Sequence, residues 1–426
     1  MIFGKKHKKR TFVLGLDGVP YSFLNNGLVQ ETMPNLLGLF KDSPAKRMDS
    51  VYPTVSSVAW TSFATGLNPA GHSIFGFVDR HPNPFQIEIP TARNRRAKTI
   101  WQELSEQGKK VIVINVPITY PPEEVNGILI SCFLCTDIDK SSYPKEFSNY
   151  LKEKGYIIDV DASLAKENKR KFMDELHLAL ERRFEVAFEL IDKQEWDYFQ
   201  LHIMETDRLF HFLWSDLENK NGFYKDIVNF FEKLDVFIKK LNEKLLKTDQ
   251  LIILSDHGFC GVKAEVQLNA WLKEQNLLKF TNTDEKLPDY DKNSICYSLL
   301  PGRIFINLEG REEKGTVKAN DYNSVRNVVK SRLLEFKDRQ GEKIIDKVFF
   351  REELYSGPYL EDAADIIAHP IRGYDLKGRT GDISVFEHSH LNGMHTFDDA
   401  FIYSRNCDIS NVESIMDVKK AIFNGK

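Results

Sequence analysis

Short β-branched or near-continuously apolar runs recur along this chain with charged, helix-periodic stretches between them. That alternation constrains the fold more than any other feature. The runs fall at Thr11–Leu16, 111–116, 197–204, 251–254 and 400–403. Strands that are apolar on both faces are expected where helices cover both sides of a sheet. Between them, 171–192 carries Phe172, Leu176, Ala179, Leu180, Ala187, Phe188 and Ile191 at three- and four-residue steps, with charges on the opposite face. Strands alternating with such helices predict an α/β fold, a doubly wound and mostly parallel sheet. From 262 to 361 the rhythm breaks into a charged, turn-rich stretch, with helical pieces only at 270–274 and 324–336. This stretch is expected to be an inserted smaller subdomain, with 1–261 and 362–426 forming the core.

Composition narrows the function classes. The 426 residues are 42% hydrophobic, enough to bury a large core. A formal charge of −4 argues against a dedicated nucleic-acid binder. The basic run Lys5, Lys6, Lys8, Lys9, Arg10 reads as a solvated tail ahead of the first strand. No segment has the length of a membrane span, and no apolar stretch of signal-peptide length follows the basic run. Five cysteines are an odd number in a large chain and fit a reducing compartment. Cys132 and Cys135 form a lone CxxC at the end of the apolar run 128–134, which reads as a strand, so buried free thiols are expected. The expected location is the cytoplasm.

Ionisable residues stand where the apolar runs end. Asp17-Gly18 follows the first run, and Asp256-His257-Gly258 follows the run at 251–254. Asp207 and His211 lie one helical turn apart and share a face. Ser56 occupies a turn ahead of a helix-like stretch, 58–65, which Gly66 would end. His395 lies in the last segment. In open parallel sheets, ligand sites form at the carboxyl ends of the strands, where distant loops converge. That geometry can unite Asp17, Ser56, Asp207, His211, Asp256, His257 and His395.

Carboxylates and imidazoles together suit Zn²⁺, with Mn²⁺ the alternative. Two sets of three are the natural partition: Asp207, His211 and His395 for one ion, and Asp17, Asp256 and His257 for the other, beside Ser56. Two ions roughly 4 Å apart can clamp both sides of an in-line phosphoryl displacement. Taken singly, each residue has an ordinary explanation. Asp-Gly is a common turn, Ser56 suits an N-cap, and Asp207 with His211 suits a surface pair. Asp-His closing an apolar strand is the hardest to explain away. The hydroxyls of Thr54, Ser56 and Ser57 are not separated by spacing alone.

These residues sit in segments with a family look: VLGLDGV (13–19), MPNLLGL (33–39), YPTVSSVAWTSFATGLNPAGHSIFGF (52–77), ETDRLFHFLW (205–214), ILSDHGF (253–259) and GMHTFDDAFIYS (393–404). The chain resembles the type I phosphodiesterase/nucleotide pyrophosphatase family of the alkaline phosphatase superfamily. The resemblance implies an alkaline-phosphatase-like sheet, two metal ions, usually zinc, and a covalent intermediate on a Thr or Ser nucleophile. By position that nucleophile is Ser56, and the ligands are the six residues above. Where the nucleotide pyrophosphatases carry an Asn contacting the phosphoryl oxygens, this chain has Phe77.

The expected activity is therefore two-metal hydrolysis of phosphodiester or phosphoric-anhydride bonds in a small molecule, through a phosphoserine on Ser56. The alternative on the same fold and metals is a phosphomonoesterase, phosphonate hydrolase or phosphotransferase. A monoesterase needs added positive charge, for which Arg93, Arg95 and Arg96 are the candidates. His72, His388 and His390 are expected to stay outside the ligand set.

Overall fold

The computed structural model describes residues 9–41, 43–281, 290–381 and 383–424. Lys5, Lys6 and Lys8 of the basic run lie outside them. Arg10 does not behave as a solvated tail: its guanidinium donates to Asp249 at 3.1 and 2.6 Å and lies 4.1 Å over the Trp196 ring.

An eight-stranded sheet forms the centre, in the order Lys46–Met48, Ala400–Arg405, Gln250–Leu254, Thr11–Leu16, Tyr198–Ile203, Val111–Ile114, Gly127–Ile130, Ser142–Tyr143. The strands from Gln250–Leu254 through Gly127–Ile130 are parallel, and antiparallel strands close both margins. Thr11–Leu16 sits in the middle, and its alternate residues feed two cores. Phe12, Leu14 and Leu16 pack with Leu176, Leu180 and Phe184 of helix Lys169–Lys193 and with Phe230 and Leu234 of helix Tyr224–Lys244. On the other face, Val13 packs with Trp60 and Phe63 of helix Ser56–Thr65 and with Ile415 and Val418. Burial on both faces is the reason these strands read as near-continuous apolar runs. Gly15 faces the second core, where a Cβ would come within 2.5 Å of the Trp60 ring.

Two expected strands are shorter than their apolar runs. The run at 111–116 stops at Ile114, because Asn115 takes a left-handed conformation (φ 64°). The run at 128–134 contributes only Gly127–Ile130; beyond it the chain turns, with Cys135 N–H bonded to Cys132 C=O. Cys132 and Cys135 are buried free thiols.

The stretch after His257 builds smaller sheets. Cys296–Leu299, Arg303–Ile306, Ile366–Pro370 and Ile345–Phe350 form an antiparallel sheet of four, and Tyr374–Lys377, Ala264–Gln267 and Phe386–Glu387 form a sheet of three. Helices Leu268–Glu274 and Tyr322–Leu334 cover them. Their shared core includes Val266, Leu272, Ile304, Val329 and Ile366. Ile366–Pro370, Tyr374–Lys377 and Phe386–Glu387 pair within this unit although they lie beyond residue 361. Arg303 ties the unit to the core, donating to the Val78 carbonyl, and Tyr355 Oη–H donates to the Tyr52 carbonyl at 2.9 Å. The chain's exit and return zip together as the antiparallel pair Gly258–Gly261 and Gly393–Thr396, with Phe259 opposite His395. That pairing carries His395 to the end of the central sheet.

Candidate active site and metal centre

Three adjacent parallel strands end at one place. Gly15 pairs with Leu254 on one side and with His202 on the other, so the residues just past each strand emerge together. Asp17 continues the pairing, its N–H bonded to the Ile203 carbonyl at 3.0 Å. Gly18, with φ at +70°, turns the chain so that its N–H donates to Asp256 Oδ1 at 3.1 Å. A Cβ at Gly18 would collide with the Phe259 ring, so the turn needs glycine twice over. Helix Glu205–Asn219 starts directly after Tyr198–Ile203 and presents Asp207 and His211 to the same point. Thr206 Oγ1–H fixes its first turn by donating to the Asp17 carbonyl at 2.6 Å.

Ser56 is the first residue of its helix, two positions earlier than the helical pattern suggests, because Val55 is extended (φ −143°) and caps it. Gly66 ends the helix with φ 69°, as expected. Ser56 Oγ lies 3.2 Å from Asp17 Oδ1 and 3.2 Å from His257 Nε2. Thr54 Oγ1–H instead donates backwards to Val51 C=O at 3.1 Å, and Ser57 Oγ is buried without a hydrogen-bond partner. Among the three hydroxyls, Ser56 is the one beside the cluster. Val58 N–H bonds Val55 C=O, leaving the N–H groups of Ser56 and Ser57 that the helix itself does not use. Such N–H groups, with the helix dipole behind them, attract a phosphoryl oxygen.

The seven candidate residues converge. His395 Nε2 is 3.2 Å from Asp207 Oδ1 and 3.0 Å from His211 Nε2, and His211 Nε2 is 3.4 Å from Asp207 Oδ1. His257 Nε2 is 3.3 Å from Asp256 Oδ2 and 3.6 Å from Asp17 Oδ1. Ligand atoms cluster tightly in two sets, Asp207–His257–His395 and Asp17–Asp256–His257, so His257 belongs to both. The His257 and His395 rings stack with centroids 3.6 Å apart.

Hydrogen bonding shows that the set fits cations. Each imidazole has its Nδ1 against a backbone carbonyl: His211 at Gly393 (3.0 Å), His395 at Thr54 (3.0 Å) and His257 at Gly258 (3.1 Å). A carbonyl can only accept, so each Nδ1 carries the proton and each Nε2 turns a lone pair inward. Two such lone pairs then face each other across 3.0 Å between His211 and His395. Ser56 has one proton for two acceptors, and Asp256 Oδ2 is buried without a donor. A divalent cation between His211 and His395, and a second beside Asp17, Asp256 and Ser56, would resolve all three mismatches. Burial, aided by His395, pushes His257 down to about 3, and burial pushes His211 down to about 4, so both imidazoles are neutral and free to ligate. Burial beside Asp17 raises Asp256 well above the ordinary carboxylate value. For Asp207, burial acts upward, but His211, His395 and Arg208 hold it below that value.

Several further contributors surround the cluster, of which only Glu205, two residues before Asp207, invites attention in the sequence. Trp60 Nε1–H donates to Asp17 Oδ2 at 3.1 Å, and His202 Nε2 lies 3.0 Å from the same oxygen. Trp60 reads as an ordinary apolar helix residue and His202 as an interruption of a buried strand. Glu205 forms a buried ion pair with Arg183, bonded at 2.9 Å from Nε, while Arg183 also donates to Ile157 and Ile158 carbonyls at 3.3 and 3.2 Å. Arg208 reaches Asp207 at 3.4 Å and Asp159 at 2.7 Å.

Other candidates fall elsewhere. His72 is buried between Ser62 Oγ (2.9 Å) and Ile74 N–H (3.1 Å), and His388 and His390 are exposed. Arg95 is tied to Glu123 and the Ile118 carbonyl, while Arg93 and Arg96 are exposed. A cavity of about 690 Å³ opens beside His211 and His395, and Phe77 lines it. No described helix is long and apolar enough to cross a membrane.

The family model described as type I phosphodiesterase / nucleotide pyrophosphatase matches residues 11–398. No curated protein matches the chain in sequence. Among solved structures it is similar to phosphonoacetate hydrolase from Sinorhizobium meliloti 1021 in complex with phosphonoformate. The identity is 16% and the TM-score 0.67, with 98% of this chain and 96% of that one covered. It is also similar to murine ectonucleotide pyrophosphatase/phosphodiesterase 5, an inactive form in complex with AMP, at 12% identity and TM-score 0.58, covering 98% and 95%. The human counterpart gives 14% and 0.54, covering 93% and 88%. At these identities the likeness is one of fold.

Proposed function

The chain belongs to the type I phosphodiesterase / nucleotide pyrophosphatase family, and from that premise we propose that it cleaves phosphodiester or phosphoric-anhydride bonds through a covalent intermediate on Ser56. It is a hydrolase of the alkaline phosphatase superfamily. The observation that carries the proposal is the Ser56 hydroxyl, set at a helix start with Asp17 and His257 each 3.2 Å away.

Asp207, His211 and His395 would hold one divalent ion, and Asp17, Asp256 and His257 the other, with Ser56 at the second. Imidazoles with carboxylates favour Zn²⁺, then Mn²⁺. Such ions supply charge that neutralises the phosphoryl oxygens and favours ionised serine. The chain's own residues do the rest. Ser56 Oγ attacks phosphorus while the N–H groups of Ser56 and Ser57 orient a non-bridging oxygen. The leaving group departs on the His211/His395 side, and water then cleaves the phosphoserine. Two in-line displacements give net retention at phosphorus, and inversion with a chiral substrate would sink the covalent scheme. The free cysteines support a cytoplasmic location.

A first test compares kcat/KM for bis-p-nitrophenyl phosphate and p-nitrophenyl phosphate on one metal-reconstituted preparation. Preference for the diester is expected. Preference for the monoester would replace the diesterase reading with a phosphatase or transferase. Ser56→Ala is expected to lose about a thousandfold in kcat with metal content unchanged; full turnover would move the nucleophile elsewhere.

A further inference from the structure

The only ligands with appreciable exposure lie on one side. The side chains of Asp17, Asp256 and His257 are fully buried, whereas His395 is 12% and His211 17% exposed. Those two line the cavity of about 690 Å³ that separates the core from the inserted sheets; Asp17, Ser56, Asp256 and His257 do not. An in-line displacement puts the departing group opposite the attacking oxygen. With Ser56 on the buried side, that group enters this cavity.

The cavity's walls state what the group is made of. The core contributes Val55, Phe77 and Met394, and the inserted unit contributes Leu300, Ile367 and Leu376. The volume is that of sites for whole organic ligands. Its charges do not favour an anion. Four carboxylates, Asp49, Asp346, Asp375 and Asp398, line it against three cations, Lys347, Arg372 and Lys377. Arg372 is paired with Asp398 and Lys377 with Asp375, each at 2.6 Å. Lys347 stands at the exposed rim within the field of Asp49. Pyrophosphate or a carboxylate leaving here would meet no uncommitted cationic clamp in the interior.

Resting on the proposed hydrolase function, we infer that this cavity is the leaving-group subsite, and that the substrate is a phosphodiester of a bulky, largely apolar, uncharged alcohol. In the first step the Ser56 Oγ–P bond forms and the bond from phosphorus to the alcohol oxygen breaks. The serine proton ends on the released alcohol. Water then restores Ser56 and releases the monoester of the second alcohol.

The test narrows the cavity without touching the ligands. Ile371 lines it and is 36% exposed, so Ile371→Trp can fill space from the rim; Leu300→Trp does so from a second strand end. With bis-p-nitrophenyl phosphate, KM is expected to rise about tenfold in either variant, with kcat within about twofold and metal content unchanged. Wild-type KM in both folded, metal-replete variants would overturn the subsite. On the wild-type protein, kcat/KM for that diester is expected to exceed that for ATP, whose leaving group is pyrophosphate, by at least about tenfold. Preference for ATP would overturn the substrate class while leaving the hydrolase intact. Turnover of neither by metal-loaded protein would remove the hydrolase reading itself, and this inference with it.

Discussion

The Asp17 carboxylate divides its oxygens between two tasks. Oδ1 faces Ser56 and His257, while Oδ2 takes the Trp60 N–H and faces His202. The ring of Trp60 fits because Gly15 beneath it has no side chain. Groups that orient a ligating carboxylate commonly contribute about 10–100-fold in metal affinity or activity. Trp60→Phe keeps most of the packing and deletes the donor. Its affinity for the ion at Asp17, Asp256 and His257 is expected to fall about tenfold in competition with a chromophoric chelator. Wild-type affinity would reduce Trp60 to a packing residue. At this scale the sequence is informative where strand ends expose chemistry: Asp17, Asp256 and His257 follow apolar runs and invite attention. Trp60 and His202 act on Asp17 from distant parts of the chain, and their own neighbourhoods are ordinary. Nothing local distinguishes them from core.

Helix Glu205–Asn219 carries two of the proposed metal ligands, and its first residue is anchored by a buried ion pair. Arg183 is fully buried and Glu205 nearly so. Removing one partner from such a pair strands the other charge, at a cost of about 3–5 kcal/mol. Glu205→Met is therefore expected to lower the unfolding midpoint markedly, and the double variant with Arg183→Met to regain part of the loss. Regain is partial because Arg183 also holds the Ile157 and Ile158 carbonyls. A double variant as unstable as the single one, in thermal denaturation, would contradict this account. Element by element, the apolar runs locate the parallel strands but not their ends. Asn115 stops one strand through its backbone conformation, and the Cys132–Cys135 turn stops another, although apolar residues resume beyond Asn115 and Ser131. The start of helix Ser56–Thr65 is equally hidden, since its cap is an extended Val55 rather than a capping side chain.

Across the whole molecule, the site gathers two strand-end turns, the starts of two helices and the strand Gly393–Thr396 around buried carboxylates and imidazoles. Asp17 and Asp256 share one buried corner, and inward lone pairs meet at His211 and His395. Ions that bind only the folded state stabilise it by about 4 kcal/mol at a thousand times Kd. Chelation is expected to lower the unfolding midpoint by several degrees, with recovery on adding back Zn²⁺. An unchanged midpoint would mean that the cluster is not a resident metal centre. The order of core elements is legible in the chain, because each repeats the same apolar signature. The inserted unit is less so: its strands are short, and Ile366–Pro370 joins it through pairing with Arg303–Ile306 rather than through any shift in composition.

The pairing of Gly258–Gly261 with Gly393–Thr396 has a consequence for biosynthesis. His395 reaches the cluster only through that late strand, and Ala400–Arg405 must still insert between Lys46–Met48 and Gln250–Leu254. A ribosome has to translate as far as His395 before the proposed ligand set is complete. Earlier segments can collapse as they emerge, but metallation of the proposed set would have to wait for His395, and truncation upstream of it would leave that set one ligand short.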